Sequence, residues 1–249
     1  MRSRPGFRAA ARLPLLLALG CQLVLAQVGP RHVIELHGNG NGGGGEAGPA
    51  KGQVQLAGKG LALIRFQGLR ILTVEADADA YRMDAVRHWP EADLLLLVPA
   101  SAGRYGGLAP LKALRRMPVI AAEPAGYGVP SPADVPQYYP MQAWDTLALR
   151  KHATRLRVTA MPGPPGTAAV AGFMLEVGNR RFSYRVYVSC VALADAQIAG
   201  LSQRLPGADL ALLPTRDAPE LLALHRSARA AGRPAALTVA GYAFTAIKR

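Results

Sequence analysis

Residues 93–98 (DLLLLV) constrain the fold more strongly than any other part of this chain. An unbroken apolar run of this length is typical of a strand that is buried on both faces. Such a strand belongs inside a layered domain, where other elements pack against it from both sides. The chain has 249 residues, of which 50% are hydrophobic, and this is enough for one domain with a sizeable core.

Shorter segments in the rest of the body predict further strands and helices. Two strands, 61–66 and 69–73, are joined by a turn at Gln67-Gly68, and a hairpin of strands 172–177 and 181–188 turns at Gly178-Asn179. The other predicted strands are 118–122, 155–160, 208–213 and 235–239, and the predicted helices are 108–116, 194–204 and 219–231. In each half strands come first and helices follow, an order that suits an α/β sandwich of two sheets covered by helices.

Residues 1–26 have the three parts of a secretory signal peptide. A basic stretch ends at Arg12, an apolar run covers residues 13–26, and the chain offers a cleavage site after Ala26. The run is short for a membrane-spanning helix, which takes about 20 residues, and an uncleaved anchor is the alternative. We expect an exported protein, either periplasmic or secreted.

Cys21 adds a third option for this segment. Residues 19–21 (LGC) resemble the end of a bacterial lipobox, in which the cysteine is lipidated after cleavage. Cleavage after Ala26 instead leaves Cys190 as the one cysteine, and a single thiol forms no internal disulfide.

Residues 27–52 form a predicted glycine-rich linker between the signal peptide and a body that covers residues 53–249. Within it, residues 38–43 (GNGNGG) match the dinucleotide fingerprint G-x-G-x-x-G. That fingerprint requires a helix to begin at the glycines, so that its N–H groups face a pyrophosphate. More glycines and a proline follow here, which excludes the helix and the nucleotide site with it.

The formal charge of +13 favours anionic surfaces. Four of the 29 basic residues lie in the signal peptide; without them 25 basic residues face 16 acidic ones, which leaves +9. The arginines are scattered, and no alternation of basic and aromatic residues indicates nucleic-acid binding. Association with an envelope surface is compatible with this charge.

Five segments together carry a family resemblance. They are 58–73 (GKGLALIRFQGLRILT), 93–97 (DLLLL), 143–145 (AWD) followed by 156–163 (LRVTAMPG), 187–189 (YVS) and 208–213 (ADLALL). In this order and spacing they resemble the metallo-β-lactamase superfamily, in particular its branch related to L-ascorbate-6-phosphate lactonase. The resemblance implies an α/β fold, the αββα four-layer sandwich, with metal ions at one edge between the sheets.

The positions at which the family carries its metal ligands hold other residues in this chain. The family's aspartate after residues 72–73 falls on Val74. The histidines and the aspartate of its Ser-His-x-His-x-Asp-His motif fall on Pro99, Ser101, Gly103 and Arg104. Zinc needs imidazole, thiolate or carboxylate ligands, and an arginine repels a cation.

The second half of the family's ligand set is missing as well. The histidine expected after Pro162 falls within residues 163–166 (GPPG), the Gly-Asp pair falls on Cys190-Val191, and the closing histidine falls near Ala240 or Gly241. Cys190 is the one soft donor among these, and one thiol does not hold zinc. The sequence therefore predicts no metal, no cofactor and no zinc-dependent catalysis.

The sequence shows no other pattern of residues that would form a catalytic centre. The histidines are His32, His37, His88, His152 and His225, and no two of them have the spacing of a metal site on one helix. Ser189 ends a strand near the expected edge, but a nucleophile needs an oriented base, and no histidine can be assigned to it. We interpret Ser189 as a hydrogen-bonding residue at a strand end.

The sequence favours a catalytically inactive scaffold that binds a partner protein or a small anionic ligand. Ser101, Arg104 and Cys190 are expected to line the vestigial cleft, because an arginine suits a carboxylate or a phosphate. Two alternatives stay open: a hydrolase with an unconventional or partner-completed metal site, and a basic protein associated with the envelope.

Overall fold

Two hairpins predicted from turn residues form the centres of two β-sheets. The computed structural model describes residues 33–36, 50–75, 79–98, 110–111, 114, 117–122, 137–163, 169–215, 218–224 and 233–249. Within these residues the chain turns at Gln67-Gly68, where both residues have positive φ, of 44° and 78°. The flanking strands pair in antiparallel register from Leu61↔Val74 to Phe66↔Leu69, which confirms the first predicted hairpin.

The first sheet, called sheet I, contains seven strands among the described residues. In spatial order they are β15 (Tyr242–Thr245), β2 (Lys51–Gly58), β3 (Leu61–Phe66), β4 (Leu69–Glu75), β5 (Leu94–Val98), β6 (Val119–Ala122) and β7 (Tyr138–Met141). The strands from β4 to β7 run parallel to one another. Their carboxyl ends therefore meet at one edge of the sheet.

The second sheet, called sheet II, contains nine strands among the described residues. Its main path is β1 (Val33–Glu35), β8 (Thr146–Lys151), β9 (Thr154–Pro162), β10 (Val170–Gly178), β11 (Phe182–Ser189), β12 (Leu210–Leu213), β13 (Glu220–Ala223) and β14 (Ala235–Ala236), with β16 (Ile247–Lys248) paired to β11. The second predicted hairpin is confirmed, since β10 and β11 are antiparallel from Gly172↔Ser189 to Gly178↔Ser183.

A shared apolar layer lies between the two sheets. Leu94 and Leu96 of β5 pack into it from sheet I, and Phe173 and Leu175 of β10 pack into it from sheet II. The neighbouring leucines of β5 point to the opposite side, into a second cluster on the outer face of sheet I. The prediction that residues 93–98 form a strand buried on both faces is thus confirmed.

Short helical segments lie over the outer faces of this sandwich. Helices α1 (Asp195–Ala199) and α2 (Leu201–Arg204) lie over sheet II. Leu201 begins α2 and Leu205 follows it, and both pack against Tyr187 and Leu213. Over sheet I, two 3-10 turns span Asp79–Tyr81 and Ala85–His88. The described architecture is a two-sheet sandwich with short helical cover, and most of the helix predicted at 108–116 lies outside the described residues.

Two helix predictions need correction. The helix predicted over 194–204 is divided at Gly200 into α1 and α2. The helix predicted over 219–231 is wrong at its start, because Glu220–Ala223 is strand β13, paired with β12. Leu221 packs into the inner layer and Leu222 into the outer cluster. When the apolar side chains of a strand pack on both faces of a sheet, the sequence shows no alternation of apolar and polar residues. Such a run is easily mistaken for a helix.

Several strands carry no sequence signal strong enough to predict them. These are β2, β7, β8, β15 and β16, and β14 is shorter than the strand predicted at 235–239. β1 lies inside residues 27–52 and pairs in parallel with β8. None of the helices in the described part of the chain has the length and apolar character needed to cross a membrane.

The two sheets repeat one local arrangement. Residues 92–94 and 208–210 both read Ala-Asp-Leu, and each aspartate stands directly before a buried parallel strand. Asp93 exchanges hydrogen bonds with the backbone of Arg70, at 2.9 Å to the carbonyl and 2.8 Å from the N–H. Asp209 does the same with Arg185, also at 2.9 and 2.8 Å. In each half the aspartate fixes the start of one strand against its neighbour.

A buried ion pair joins the sheets at the edge opposite to the carboxyl ends of β4 to β7. The Lys151 ammonium of β8 donates to the Asp93 carboxylate at 2.7 Å and to the Gly68 carbonyl at 2.8 Å. The two side chains are only 6% and 12% exposed. Removing one partner of such a pair leaves a charge in a poorly hydrated position.

We expect Lys151→Met to lower the free energy of unfolding by about 3 kcal/mol, because Asp93 then stays buried without its counter-charge. Urea denaturation of the variant measures this. The matched control is Lys59→Met, since the Lys59–Asp79 pair is 67% and 82% exposed and exposed pairs contribute about 0–1 kcal/mol. Equal effects of the two substitutions would show that the buried pair does not fasten the sheets.

Candidate functional site

The carboxyl ends of four parallel strands define the edge at which a site is expected. We call it the C-terminal edge; β4, β5, β6 and β7 end there at Glu75, Val98, Ala122 and Met141. Sheet II meets the same edge, because the Trp144 N–H, three residues after β7, donates to the Ala160 carbonyl of β9 at 2.8 Å. The ends of β9 and β11 therefore lie beside the ends of the parallel strands.

The expected ligand positions fall partly inside and partly outside the described residues. Pro99, Ser101, Gly103, Arg104 and residues 164–166 lie outside them. Val74 is fully buried in the outer cluster of sheet I. Gly163 donates its N–H to the Ala169 carbonyl at 2.7 Å, and Gly241 closes a turn with Thr238.

The described residues do not fit a metal ion. Among them, no group of three or more His, Cys, Asp or Glu side chains comes together. Cys190 is the single candidate donor at a family position inside the described residues, and one ligand does not make a zinc site.

Cys190 lies in the core rather than on an open surface. Its side chain belongs to the apolar layer between the sheets and is 2% exposed, and its N–H donates to the Ala171 carbonyl at 2.8 Å. Burial raises the pKa of the thiol above its ordinary range. At neutral pH the group is a protonated thiol, which is a poor nucleophile and a poor metal ligand.

Ser189 makes the strand-end hydrogen bonds that the sequence predicts. Its hydroxyl donates to the Val191 carbonyl at 2.8 Å and accepts from the Val191 N–H at 3.4 Å. The side chain is 1% exposed. A hydroxyl that is buried and engaged in its own turn is not presented to a substrate.

Neither described histidine lies at this edge. His88 ends a 3-10 turn beside Trp89. His152 lies in the turn between β8 and β9, with φ of 53°, at the opposite edge beside the Lys151–Asp93 pair. The other three histidines, His32, His37 and His225, lie outside the described residues.

Trp144 is the residue at the C-terminal edge that sequence reasoning did not single out as functional. It is 69% exposed, and its φ of 76° is in the left-handed region that bulky L-residues rarely adopt. The turn around it is rigidly bonded: the Gln142 N–H donates to the Asp145 carboxylate at 2.7 Å, and the Ala160 N–H donates to the Asp145 carbonyl at 2.9 Å. An aromatic side chain is thus displayed to solvent from a strained and well-fixed backbone.

Two valines add to the exposed apolar surface at this edge. Val191, which follows β11, is 40% exposed, and Val239 is 74% exposed. Val239 adjoins Thr238, whose carbonyl accepts from the Leu56 N–H near the end of β2. Exposed apolar groups around the end of a rigid sandwich are suited to binding, and they supply no acid, base or nucleophile.

Comparison with known proteins gives similarity in structure alone. No protein-family profile matches the sequence, and no curated protein matches it either. A candidate metal-dependent hydrolase from Parabacteroides distasonis ATCC 8503 is 16% identical, with 67% of this chain and 71% of that chain covered and a TM-score of 0.43. The solved structures to which the chain is similar include this hydrolase and several metallo-β-lactamases.

Two further solved structures illustrate the range of these similarities. A B3 metallo-β-lactamase with an active-site glutamic acid is 16% identical, with 72% and 77% of the two chains covered and a TM-score of 0.38. CmlA, a diiron β-hydroxylase from Streptomyces venezuelae, is 12% identical, with 66% and 34% covered and a TM-score of 0.39. Similarities of this size say nothing about what this chain binds or catalyses.

We expect Trp144→Asn to raise the free energy of unfolding by about 1 kcal/mol, because asparagine tolerates the left-handed conformation that tryptophan does not. Trp144→Phe is the matched control. It keeps a bulky aromatic side chain on the same left-handed backbone and should leave stability unchanged. Thermal or urea denaturation of the three proteins measures this. A loss of stability in the asparagine variant would mean that the tryptophan is retained for its packing.

Stability should fall as the pH rises through and above 9.0. Burial raises the pKa of Tyr187 to about 12 and raises those of Cys190, Tyr81 and Tyr184 further. The unfolded chain releases these protons at the ordinary values of 9.0 for cysteine and 10.0 for tyrosine, whereas the folded chain keeps them. The stabilising effect is complete below pH 9.0 and is lost progressively above it.

The urea midpoint, measured from neutral pH through 9.0 and 10.0, follows this loss. Cys190→Ala is the control, since it removes the thiol and should flatten the first part of the decline. A midpoint that stays constant beyond pH 10.0 would contradict the burial of these groups.

Proposed function

We propose that this chain is an exported protein with a metallo-β-lactamase-like αββα architecture that acts by binding at its C-terminal edge, without zinc-dependent catalysis. The ligand is a small anion or an anionic group of a partner protein. The observation that carries the proposal is the strained, solvent-exposed Trp144.

Strain at this position argues for selection on binding. A left-handed conformation costs an ordinary residue about 1–2 kcal/mol, and residues held in such conformations cluster at ligand sites and switches. Glycine or asparagine would fit the turn better, so a large exposed indole is not explained by folding. Tryptophan is among the residues that contribute most to binding at interfaces.

The proposed ligand chemistry comes from the sequence that follows β5. Arg104 stands where the family holds a histidine of its metal motif, and Ser101 comes three residues before it. A guanidinium is a permanent cation that binds carboxylate or phosphate with two hydrogen bonds. A fixed positive charge at that position would replace the charge of the metal as the feature that attracts an anion.

The experiment uses the two tryptophans of the chain. Trp89→Phe keeps the ring stacked near Tyr81 and leaves Trp144 as the single fluorescent indole at the edge. Inorganic phosphate, citrate and a dicarboxylate are titrated into this protein. We expect a saturable change in Trp144 emission, and we expect Arg104→Gln to weaken the affinity about tenfold or more, because a charge-assisted hydrogen bond contributes about 1.5–3 kcal/mol.

Arg87→Gln is the matched control, because it removes an exposed arginine from the 3-10 turn Ala85–His88 on the outer side of sheet I. If both substitutions weaken the affinity equally, the anion responds to the overall positive charge of the protein and not to Arg104 in particular. Metal content of the purified protein, with a zinc titration alongside, tests the other half of the proposal. One or two tightly held metal ions per chain would overturn it and favour a metal-dependent hydrolase.

A further inference from the structure

Four arginines lie side by side on the outer face of sheet II, away from the core. The antiparallel register places Arg150 of β8 directly opposite Arg155 of β9, and Arg157 lies two residues further along β9 on the same face. Arg185 of β11 faces the same side, because it and Arg157 both stand opposite Glu176. The side chains of Arg150 and Arg157 are 51% and 56% exposed.

Two carboxylates on this face neutralise part of the charge. Glu35 of β1 contacts Arg150 at 2.9 Å. Glu176 is shared, at 3.4 Å from Arg185 and 3.8 Å from Arg157. Within the described part of the chain, four guanidinium groups therefore face two carboxylates, and the excess charge is positive.

Arg155 has no acidic neighbour across either of its strand pairings. It stands opposite Arg150 on β8 and opposite Gly178 on β10. Like charges that lie directly opposite one another destabilise a sheet, and glycine has no side chain to offset them. Glu35 offsets Arg150, so Arg155 is the cation of this pair that lacks an acidic strand neighbour, and a bound anion would supply a counter-charge for it.

We propose that this arginine face, made up of Arg150, Arg155, Arg157 and Arg185, docks on an anionic lipid surface. A guanidinium matches the oxygens of a phosphate headgroup with two hydrogen bonds. Strands lie about 5 Å apart and side chains on one face repeat about every 7 Å along a strand. The charges are therefore spread over a broad, gently twisted plane that suits a membrane surface.

The shape and composition of the face argue against nucleic acid as the occupant. The major groove of DNA admits a helix or a two-stranded ribbon, whereas this face spans β1 and β8 to β11. Binding of single strands relies on aromatic side chains that stack on the bases. The neighbours of Arg150 and Arg157 on this face include the small residues Thr146, Ala148 and Thr159. Tyr187, the next residue after Arg185 on this face of β11, is buried in the cluster with Leu201 and does not offer its ring to a base.

The point at which the chain enters the sandwich supports the same occupant. β1 is the edge strand of sheet II, and its Glu35 pairs with Arg150. The apolar run of residues 13–26 ends seven residues before Val33, and seven residues of extended chain span at most about 25 Å. A membrane anchor in that run, or a lipid on Cys21, would be joined to this edge strand by a short connection.

The test is sedimentation of the full chain with phosphatidylcholine vesicles, and with vesicles in which part of that lipid is replaced by phosphatidylglycerol. The ratio of the two partition coefficients isolates the charge effect, because the apolar run enters both kinds of vesicle. We expect the ratio to exceed one and to fall as salt is added. Arg155→Gln with Arg157→Gln should lower it about 25-fold, or about fivefold for each arginine near the surface.

The control is Arg65→Gln with Arg87→Gln, which removes the same charge from exposed positions of β3 and of the 3-10 turn Ala85–His88 and should leave the ratio unchanged. Equal losses in both double variants, or a ratio of one for the unaltered protein, would overturn the proposal. Duplex DNA is the competing probe: loss of DNA binding in the arginine-face variant, without any vesicle preference, would assign the face to nucleic acid instead.

Stability is measured alongside binding. Removing one of two opposed arginines should not lower the urea midpoint, because it relieves a repulsion. If the double variant does not fold, Arg155→Gln alone serves, with an expected loss of about fivefold; no loss in that variant would contradict the proposal.

Discussion

The ammonium of Lys151 and the carboxylate of Asp93 meet between the two sheets with almost no access to water. Two buried charges are tolerated when each satisfies the other and the remaining hydrogen-bonding groups find partners. Here the partners are the carbonyl of Gly68 and the N–H of Arg70. The pair therefore fixes the hairpin turn of sheet I against β8 of sheet II, and the apolar layer between the sheets begins from that fixed edge.

The Lys151–Asp93 pair holds one edge of the sandwich together. The residues at the opposite, C-terminal edge are therefore the ones that can vary. The parallel strands themselves stay packed in the shared core. Residues that follow the strands can vary without disturbing the packing that holds the sheets together, whereas Val74 and Cys190 are part of the packed clusters.

The sequence predicted the parts of the fold whose pattern is local. The hairpins at Gln67-Gly68 and Gly178-Asn179 follow from turn residues between alternating runs, and β5 follows from an apolar run with only one plausible environment. β13 was missed because its two leucines serve opposite faces. β8 was missed and β1 was assigned to the linker, because their stability comes from pairing with distant strands, as with Glu35 and Arg150, which are 115 residues apart.

The candidate site was predictable only in part, for a different physical reason. The resemblance implied by the sequence assigns ligand positions to residues such as Val74 and Gly103, whose side chains bind no zinc, and that assignment stays a prediction. Burial is a property of the assembled core, so the sequence could not show that the thiol of Cys190 faces inward. The backbone conformation of Trp144 is likewise set by the bonds that Gln142, Asp145 and Ala160 make around it, and no propensity of tryptophan indicates it.

The pairing of β1 with β8 changes the meaning of the glycine-rich segment. Its two ends lie in strands of different sheets, because Leu36 follows β1 in sheet II and Ala50 precedes β2 in sheet I. The segment thus connects two strands of the domain, and the entropy cost of closing such a connection grows only slowly with its length. A single cut in it would leave β1 held by non-covalent contacts, namely its pairing with β8, the Glu35–Arg150 contact and the packing of Ile34 and Leu36 against the core, so that a strand of the sheet would become a separable peptide.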